Sequence, residues 1–247
     1  MPPKAVIFDI GGVVVSSPLE SIRRYEAKLG LPVNYINVAI KVRGADGAFQ
    51  RFERGEVSLI EAAQLLTAEL NDAEFNTSAY TKMMEGKATM VNVNVERIKC
   101  IRIDGNGLLR MIMKHNVDPL MGYAVRTLKA SGRFKVAALT NNFALPEDAV
   151  SSEDKEVLKA LQSMFDFYIE SSLVGLRKPD PAFFLHACKV LEVQPHECIF
   201  LDDIGDNLKA ARALKMQTIR VIVGRVPEAI SELEKLTGLS LSLPAKL

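Results

Sequence analysis

In the run "KAVIFDIGGVVVSS", residues 4–17, an apolar stretch from Ala5 to Phe8 ends on a single carboxylate, Asp9, and two glycines follow. Two later apolar runs end in a similar way. "VAAL" at 136–139 leads into Thr140 and Asn141, and "CIFL" at 198–201 leads into Asp202 and Asp203. Acids, a hydroxyl and an amide arriving from three separate pieces of chain suit chemistry on a phosphate or a carbonyl. Such chemistry gains from a second proton-handling group close to the first acid. Two residues beyond Asp9 stands Gly11, which has no proton to give.

The elements that must position these groups are short and apolar. "AVIF" at 5–8, "VAAL" at 136–139, "CIFL" at 198–201 and "TIRVIV" at 218–223 read as buried strands, with "FDFYI" at 165–169 as a fifth. Helical periodicity or a longer insert separates them, which predicts a parallel sheet covered by helices on both faces. In an open parallel sheet the ligand crevice lies outside the carboxyl ends of the strands, and that is where the polar residues fall. Between the first two strands lie about 120 residues, far more than one crossover helix needs.

Much of that insert reads as helix. "SPLESIRRYEAKLG" places Ser17 as a cap before Pro18 and closes on Gly30. "SLIEAAQLLTAEL" at 58–70 carries Leu59, Ala62, Ala63, Leu66 and Leu70 at helical spacing, with Ser58 and Glu61 as a capping box. The insert, residues 18–117, is expected to form a helical cap domain over the crevice, with the core domain built from residues 1–17 and 118–247. The acidic, serine-rich segment "PEDAVSSEDKE" at 146–156 reads as a solvated loop. Asp206 is expected as the N-cap of the helix "NLKAARAL".

Bulk composition narrows the function classes. The chain has 247 residues, 48% hydrophobic and 25% charged, which is ordinary globular usage. Its 31 basic and 30 acidic residues nearly cancel, so charge gives no reason to expect nucleic acid or an acidic membrane as partner. No apolar run reaches transmembrane length, and the start lacks a secretory pattern, so a cytoplasmic protein is expected. The last three residues, Ala245, Lys246 and Leu247, resemble a peroxisomal address. Cys100, Cys188 and Cys198 lack zinc or disulfide spacing and are expected as buried, inert thiols, with His115, His186 and His196 equally without a role. An apolar helix face in the insert can be core or the interface of a homodimer.

Taken in order, "FDIGG", "LTNN", "GLRKPDPAFF" and "IFLDDIGDNLKAAR" resemble the four motifs of the haloacid dehalogenase superfamily of hydrolases. "FDFYIESSLVGLRKPDP" and "SELEKLTGLSL" are similar to the branch that includes the N-terminal phosphatase-type domain of soluble epoxide hydrolase and a domain of an acyl-CoA dehydrogenase family protein. These 247 residues resemble that phosphatase-type domain and not an α/β-hydrolase, so epoxide hydrolysis is not expected of them. The resemblance implies a Rossmann-like α/β core with an inserted cap and a small phosphorylated molecule as substrate. It makes Asp9 the nucleophile, forming an aspartyl-phosphate, and Lys178 the charge that neutralises Asp9 and the phosphoryl group. Phosphate oxygens would be bound by Ile10, Gly11, Thr140 and Asn141. Magnesium would sit on Asp9, the carbonyl of Gly11 and Asp203, with Asp202 acting through water. A cis bond between Lys178 and Pro179 fits the tight turn there.

Within that pattern Gly11 stands where a second aspartate usually protonates the leaving oxygen. Three readings follow. One is a magnesium-dependent phosphatase that is slowest on alkyl phosphates. Another is a silent module that keeps phosphate and magnesium affinity. A third is a haloacid dehalogenase, whose halide leaves without a proton but whose chemistry uses no magnesium.

Overall fold

The computed structural model describes residues 2–86, 94–113, 116–146 and 151–243. The chain divides into two compact units, one made of Met1–Ser17 with His115–Leu247 and the other of Pro18–Lys114.

The first unit is built on a five-stranded sheet. Its strands are β1 (Ala5–Phe8), β2 (Lys135–Thr140), β3 (Phe167–Glu170), β4 (Cys198–Asp202) and β5 (Gln217–Arg220), in the order β3-β2-β1-β4-β5. All neighbours are parallel, with Phe8 opposite Ala138 on one side and Leu201 on the other. Every residue of β1 is buried, as a central parallel strand requires, which is why it reads as an unbroken apolar run. Its side chains alternate between two cores. Val6 and Phe8 join one apolar cluster, while Ala5 and Ile7 join the other.

The Pro18–Lys114 unit contains α1 (Pro18–Leu29), α2 (Tyr35–Val42), α3 (Ala48–Glu53), α4 (Leu59–Leu70), α5 (Ala73–Met84), α6 (Val95–Lys99) and α7 (Gly105–Ile112). α1 starts at Pro18 and gives way to Gly30, whose φ of 67° is left-handed, both as expected, but Ser17 does not cap it, its hydroxyl being buried without a hydrogen-bond partner. The capping box of α4 is present, Ser58 accepting from the Glu61 N–H while Glu61 accepts from the Ser58 N–H. Ala62, Leu66 and Leu70 are its buried face. The Tyr35 and Tyr80 rings pack with centroids 5.7 Å apart.

Around the sheet run α8 (Pro119–Ser131), α9 (Ser152–Ser163), α10 (Ser171–Val174), α11 (Pro181–Val190), α12 (Gly205–Ala213) and α13 (Val226–Thr237). Met121, Val125 and Leu128 of α8, Leu161 of α9 and Ile230 and Leu233 of α13 pack into the cluster of Val6 and Phe8. Phe183, Phe184 and Ala187 of α11 and Leu208 and Ala211 of α12 cover the other face.

Three expectations need correction. The segment expected as a loop up to residue 156 is helical from Ser152, because the Ser151 hydroxyl accepts the Asp154 N–H and Glu153 and Asp154 sit favourably in the first turn; residues 147–150 lie outside the described residues. β5 ends at Arg220 rather than at residue 223, since the chain turns where the Arg225 N–H donates to the Ile222 carbonyl and Gly224 takes φ 81°. β3 begins at Phe167, two residues later than expected, because the Asp166 carboxylate accepts the Val136 N–H in place of a strand carbonyl. His115 and the C-terminal Ala245–Leu247 fall outside the described residues. Among the described residues no helix is long and apolar enough to cross a membrane.

Candidate active site

Strand order reverses between β1 and β4: the chain moves outward from β1 to β2 and β3, then returns to place β4 on the other side of β1. That reversal opens a crevice beyond the carboxyl ends of β1 and β4. Asp9 follows the last residue of β1, Asp202 is the last residue of β4, and Asp203 comes next. The Asp9 N–H donates to the Leu201 carbonyl at 2.9 Å, carrying the pairing one residue past the strand and fixing Asp9 beside β4. The chain then folds into a tight turn, with the N–H groups of Val14 and Val15 donating to the Ile10 carbonyl and that of Gly12 to the Val15 carbonyl.

Gly12 is required there twice over. Its φ of 82° is left-handed, and a Cβ at this position would stand 2.3 Å from Asp203 Oδ2. The turn and Asp203 therefore fit together only because residue 12 has no side chain.

Lys178 comes from the segment between α10 and α11, through a cis bond to Pro179, as the sequence suggested. Its ammonium is 1% exposed and lies 2.7 Å from Asp9 Oδ1 and 2.9 Å from Asp202 Oδ2. Asn141 sets its position by a two-point clasp: the Lys178 N–H donates to Asn141 Oδ1 at 2.8 Å, and Asn141 Nδ2 donates to the Lys178 carbonyl at 3.0 Å. Phe200 offers its ring face 5.4 Å from Nζ.

Asp202 is fully buried and occupied. Besides Lys178 it accepts the Ile204 N–H at 2.8 Å and the Asn207 amide at 3.1 and 3.0 Å. Such a carboxylate holds its neighbours in place. Asn207 lies in the quoted motif "LDDIGDN" but received no role from the sequence, because its clasp on Asp202 depends on how α12 leaves β4. The same junction corrects Asp206: α12 begins at Gly205 with Ile204 at its N-cap position, so Asp206 sits in the first turn.

Charge is unbalanced here. Asp9, Asp202 and Asp203 each bring a carboxylate oxygen within 4.8 Å of the others, and Lys178 is the cation in contact with two of them. Burial pushes the Asp9 carboxyl up to about 8; Lys178 pulls it down, while Asp202 and Asp203 push it further up. Asp203 is raised to about 6, first by burial and then by Asp202. Burial opposes the charge of Lys178, but Asp202 and Asp9 outweigh it and hold the ammonium above the ordinary lysine range. Asp203 Oδ1 is moreover buried without a hydrogen-bond partner. An orphaned carboxylate oxygen among excess negative charge fits a hard divalent cation that takes oxygen ligands.

The remaining expected residues fall as follows. Thr140 ends β2 and is buried, at the same end of the sheet as Asp9. The Ile10 N–H, expected on phosphate, donates to Asp9 Oδ1 at 2.7 Å. Gly11 bridges to Val15 and lies outside the left-handed region that Gly12 occupies. Cys188 and Cys198 are buried, but Cys100 is exposed, contrary to expectation, its Sγ donating to the Glu96 carbonyl on the last turn of a five-residue helix.

A family model described as haloacid dehalogenase-like hydrolase matches residues 3–215. The chain is 32% identical over 239 residues to bifunctional epoxide hydrolase 2 of Sus scrofa, covering 96% of this chain and 39% of that protein. It is 33% identical over 244 residues to acyl-CoA dehydrogenase family member 10 of Mus musculus, covering 97% of this chain and 20% of that one. The chain thus spans well under half the length of these curated relatives. Its fold is similar, at a TM-score of 0.51 and 16% identity over 88% of this chain and 93% of the other, to a haloacid dehalogenase family enzyme of Bacteroides thetaiotaomicron solved with magnesium and inorganic phosphate. A match that runs from just before β1 to the turn after α12 takes in every strand end that bears an acid, and it makes this chain a member of the haloacid dehalogenase-like hydrolases.

Proposed function

We propose that the chain is a magnesium-dependent phosphomonoesterase that works through an aspartyl-phosphate on Asp9. The observation that carries this is the buried contact of Lys178 with Asp9 and Asp202, with the unpartnered oxygen of Asp203 beside it. Magnesium would be held by Asp9, Asp203 and the Gly11 carbonyl, with Asp202 behind them; it would supply positive charge against the phosphoryl oxygens. The similarity of the fold to an enzyme solved with magnesium and inorganic phosphate supports that assignment.

Both donors to Asp9, the Ile10 N–H and Lys178 Nζ, land on Oδ1. This leaves Oδ2 as the oxygen that bonds to phosphorus. Lys178 neutralises Asp9 and then the transferred group, while Thr140 and the backbone of Gly11 and Asn141 receive phosphate oxygens; the Ile10 N–H, engaged on Asp9 Oδ1, orients the nucleophile instead. Asn141 contributes a second time through its clasp on Lys178. As the O–P bond to the substrate breaks, the leaving oxygen departs without a proton from residue 11. Water then attacks phosphorus, the bond between phosphorus and Asp9 Oδ2 breaks, the water's proton passes to solvent, and inorganic phosphate leaves with the Asp9 carboxylate restored. The Pro18–Lys114 unit takes the part of the cap that selects the organic portion of the substrate.

Release of phosphate from an aryl phosphate, with and without magnesium, tests the proposal. Wild type should turn over only with magnesium, and Asp9→Asn should lose roughly 10³-fold or more. Because the group lost at residue 11 is worth about 10²–10⁴-fold, Gly11→Asp should gain within that range, more on alkyl than on aryl phosphates. Gly11 also favours a second reading, a module that binds magnesium and phosphate without turnover. That reading prevails if wild type is as inactive as Asp9→Asn while Gly11→Asp acquires activity.

A further inference from the structure

Two nucleophilic groups that the proposed chemistry does not use face each other on the far side of the sheet from α8. Cys188 lies near the end of α11 and Cys198 is the first residue of β4; their Sγ atoms are 4.0 Å apart. They are 4% and 0% exposed, and both belong to the apolar cluster of Ala5 and Ile7. Packing as small apolar groups explains their burial. It does not require two sulfur atoms to be mutual neighbours, since most positions in that cluster are filled by carbon side chains.

The pair is asymmetric. Either sulfur can donate across their 4.0 Å contact, so the asymmetry lies in their other neighbours. Cys198 Sγ also reaches the Gln194 carbonyl at 3.5 Å, at the start of the short turn Pro195–Glu197 that links α11 to β4. Cys188, slightly exposed near the end of α11, is the sulfur that an oxidant reaches first, with the fully buried Cys198 beside it to resolve the product. A disulfide needs about 2 Å between sulfurs, so closure asks each side chain to move about half of the remaining gap.

We propose that Cys188 and Cys198 form an oxidisable dithiol that closes into a disulfide between α11 and β4 when a peroxide reaches it. The Cys188 thiolate attacks one peroxide oxygen, the O–O bond breaks, and the other oxygen leaves as hydroxide, which takes up a proton to become water. The sulfenic acid formed on Cys188 is then attacked by the Cys198 sulfur, which gives up its proton as the S–O bond breaks and a second water leaves. Two electrons pass from the sulfur pair to the peroxide. Local opening of the last turn of α11 admits the oxidant.

This bond would tie together, at their far ends, two segments whose other ends already meet. Lys178 precedes α11 and Asp202 ends β4, and the two side chains are 2.9 Å apart. Oxidation closes that path into a ring through the site.

The test uses the full chain with Cys100→Ser, which removes the exposed thiol, treated with hydrogen peroxide while folded. The expected result is loss of both remaining thiols, a mass decrease of about 2 Da and full recovery with dithiothreitol, as thiol–disulfide chemistry requires. Trypsin cuts after Lys189, so peptides carrying Cys188 and Cys198 should migrate as one species until reduced. Adding Cys188→Ala should leave Cys198 as a free thiol. If both thiols survive in the folded protein and vanish only in urea, or if the mass rises by oxygen atoms with no linked peptide, the pair is inert packing and the proposal fails.

Discussion

Lys178 has a carboxylate on each side, and removing its charge strands both. Breaking one partner out of a buried ion pair destabilises a protein by about 3–5 kcal/mol, so Lys178→Met in the metal-free protein should lose stability on that scale in urea unfolding. The loss should shrink at pH 6, because Asp9, already raised to about 8, can take a proton and cease to need a counter-charge. Gly12→Ala should act through geometry instead. Its methyl group would meet Asp203 Oδ2 at 2.3 Å on a backbone at φ 82°, which predicts a loss of about 1–3 kcal/mol and weaker magnesium binding, read by calorimetric titration. At this scale the reactive atoms announce themselves in the sequence: Asp9, Asp202 and Asp203 each stand where an apolar strand stops. Asn207 and the fit of Gly12 against Asp203 do not, because each exists only once β1, β4 and α12 have been packed.

Elements were readable where local chemistry decides them. Ser58 and Glu61 fix the start of α4 by reciprocal bonds within four residues, so no tertiary information is needed. Ser58→Ala should cost about 1 kcal/mol, measured as a fall in the urea midpoint, and Ser58→Asp should keep most of the stability by presenting the same acceptor. β5 and α9 depart from the sequence expectation for opposite reasons. Ile222 and Val223 have strand propensity, yet a turn takes them out of the ladder and leaves them half-exposed. The segment after Ser151 has a composition that suits a solvated loop, but its acids are stabilised by the free N–H groups at the helix start.

The molecule as a whole carries an electrostatic debt that its pH dependence should reveal. Asp9 and Asp203 begin at an ordinary aspartate value of 3.8 when unfolded and rise to about 8 and about 6 when folded. Between those limits the folded state binds protons that the unfolded state has released, so the contribution of these two groups to metal-free stability is largest near pH 4 and falls as pH climbs through 6 and towards 8. A divalent cation among the same carboxylates replaces those protons. Magnesium should therefore add little to the melting temperature at pH 5.5, where protons compete for the oxygens, and progressively more towards pH 8. Because ligand binding to the native state alone stabilises it by mass action, the shift should also grow with magnesium concentration. Asp203→Asn separates this from general screening: it removes a buried acid, so the metal-free protein should lose less stability between pH 5.5 and 8, and the magnesium shift should largely vanish. A magnesium shift equal at both pH values, or unchanged in Asp203→Asn, would place the cation somewhere other than the carboxyl ends of β1 and β4.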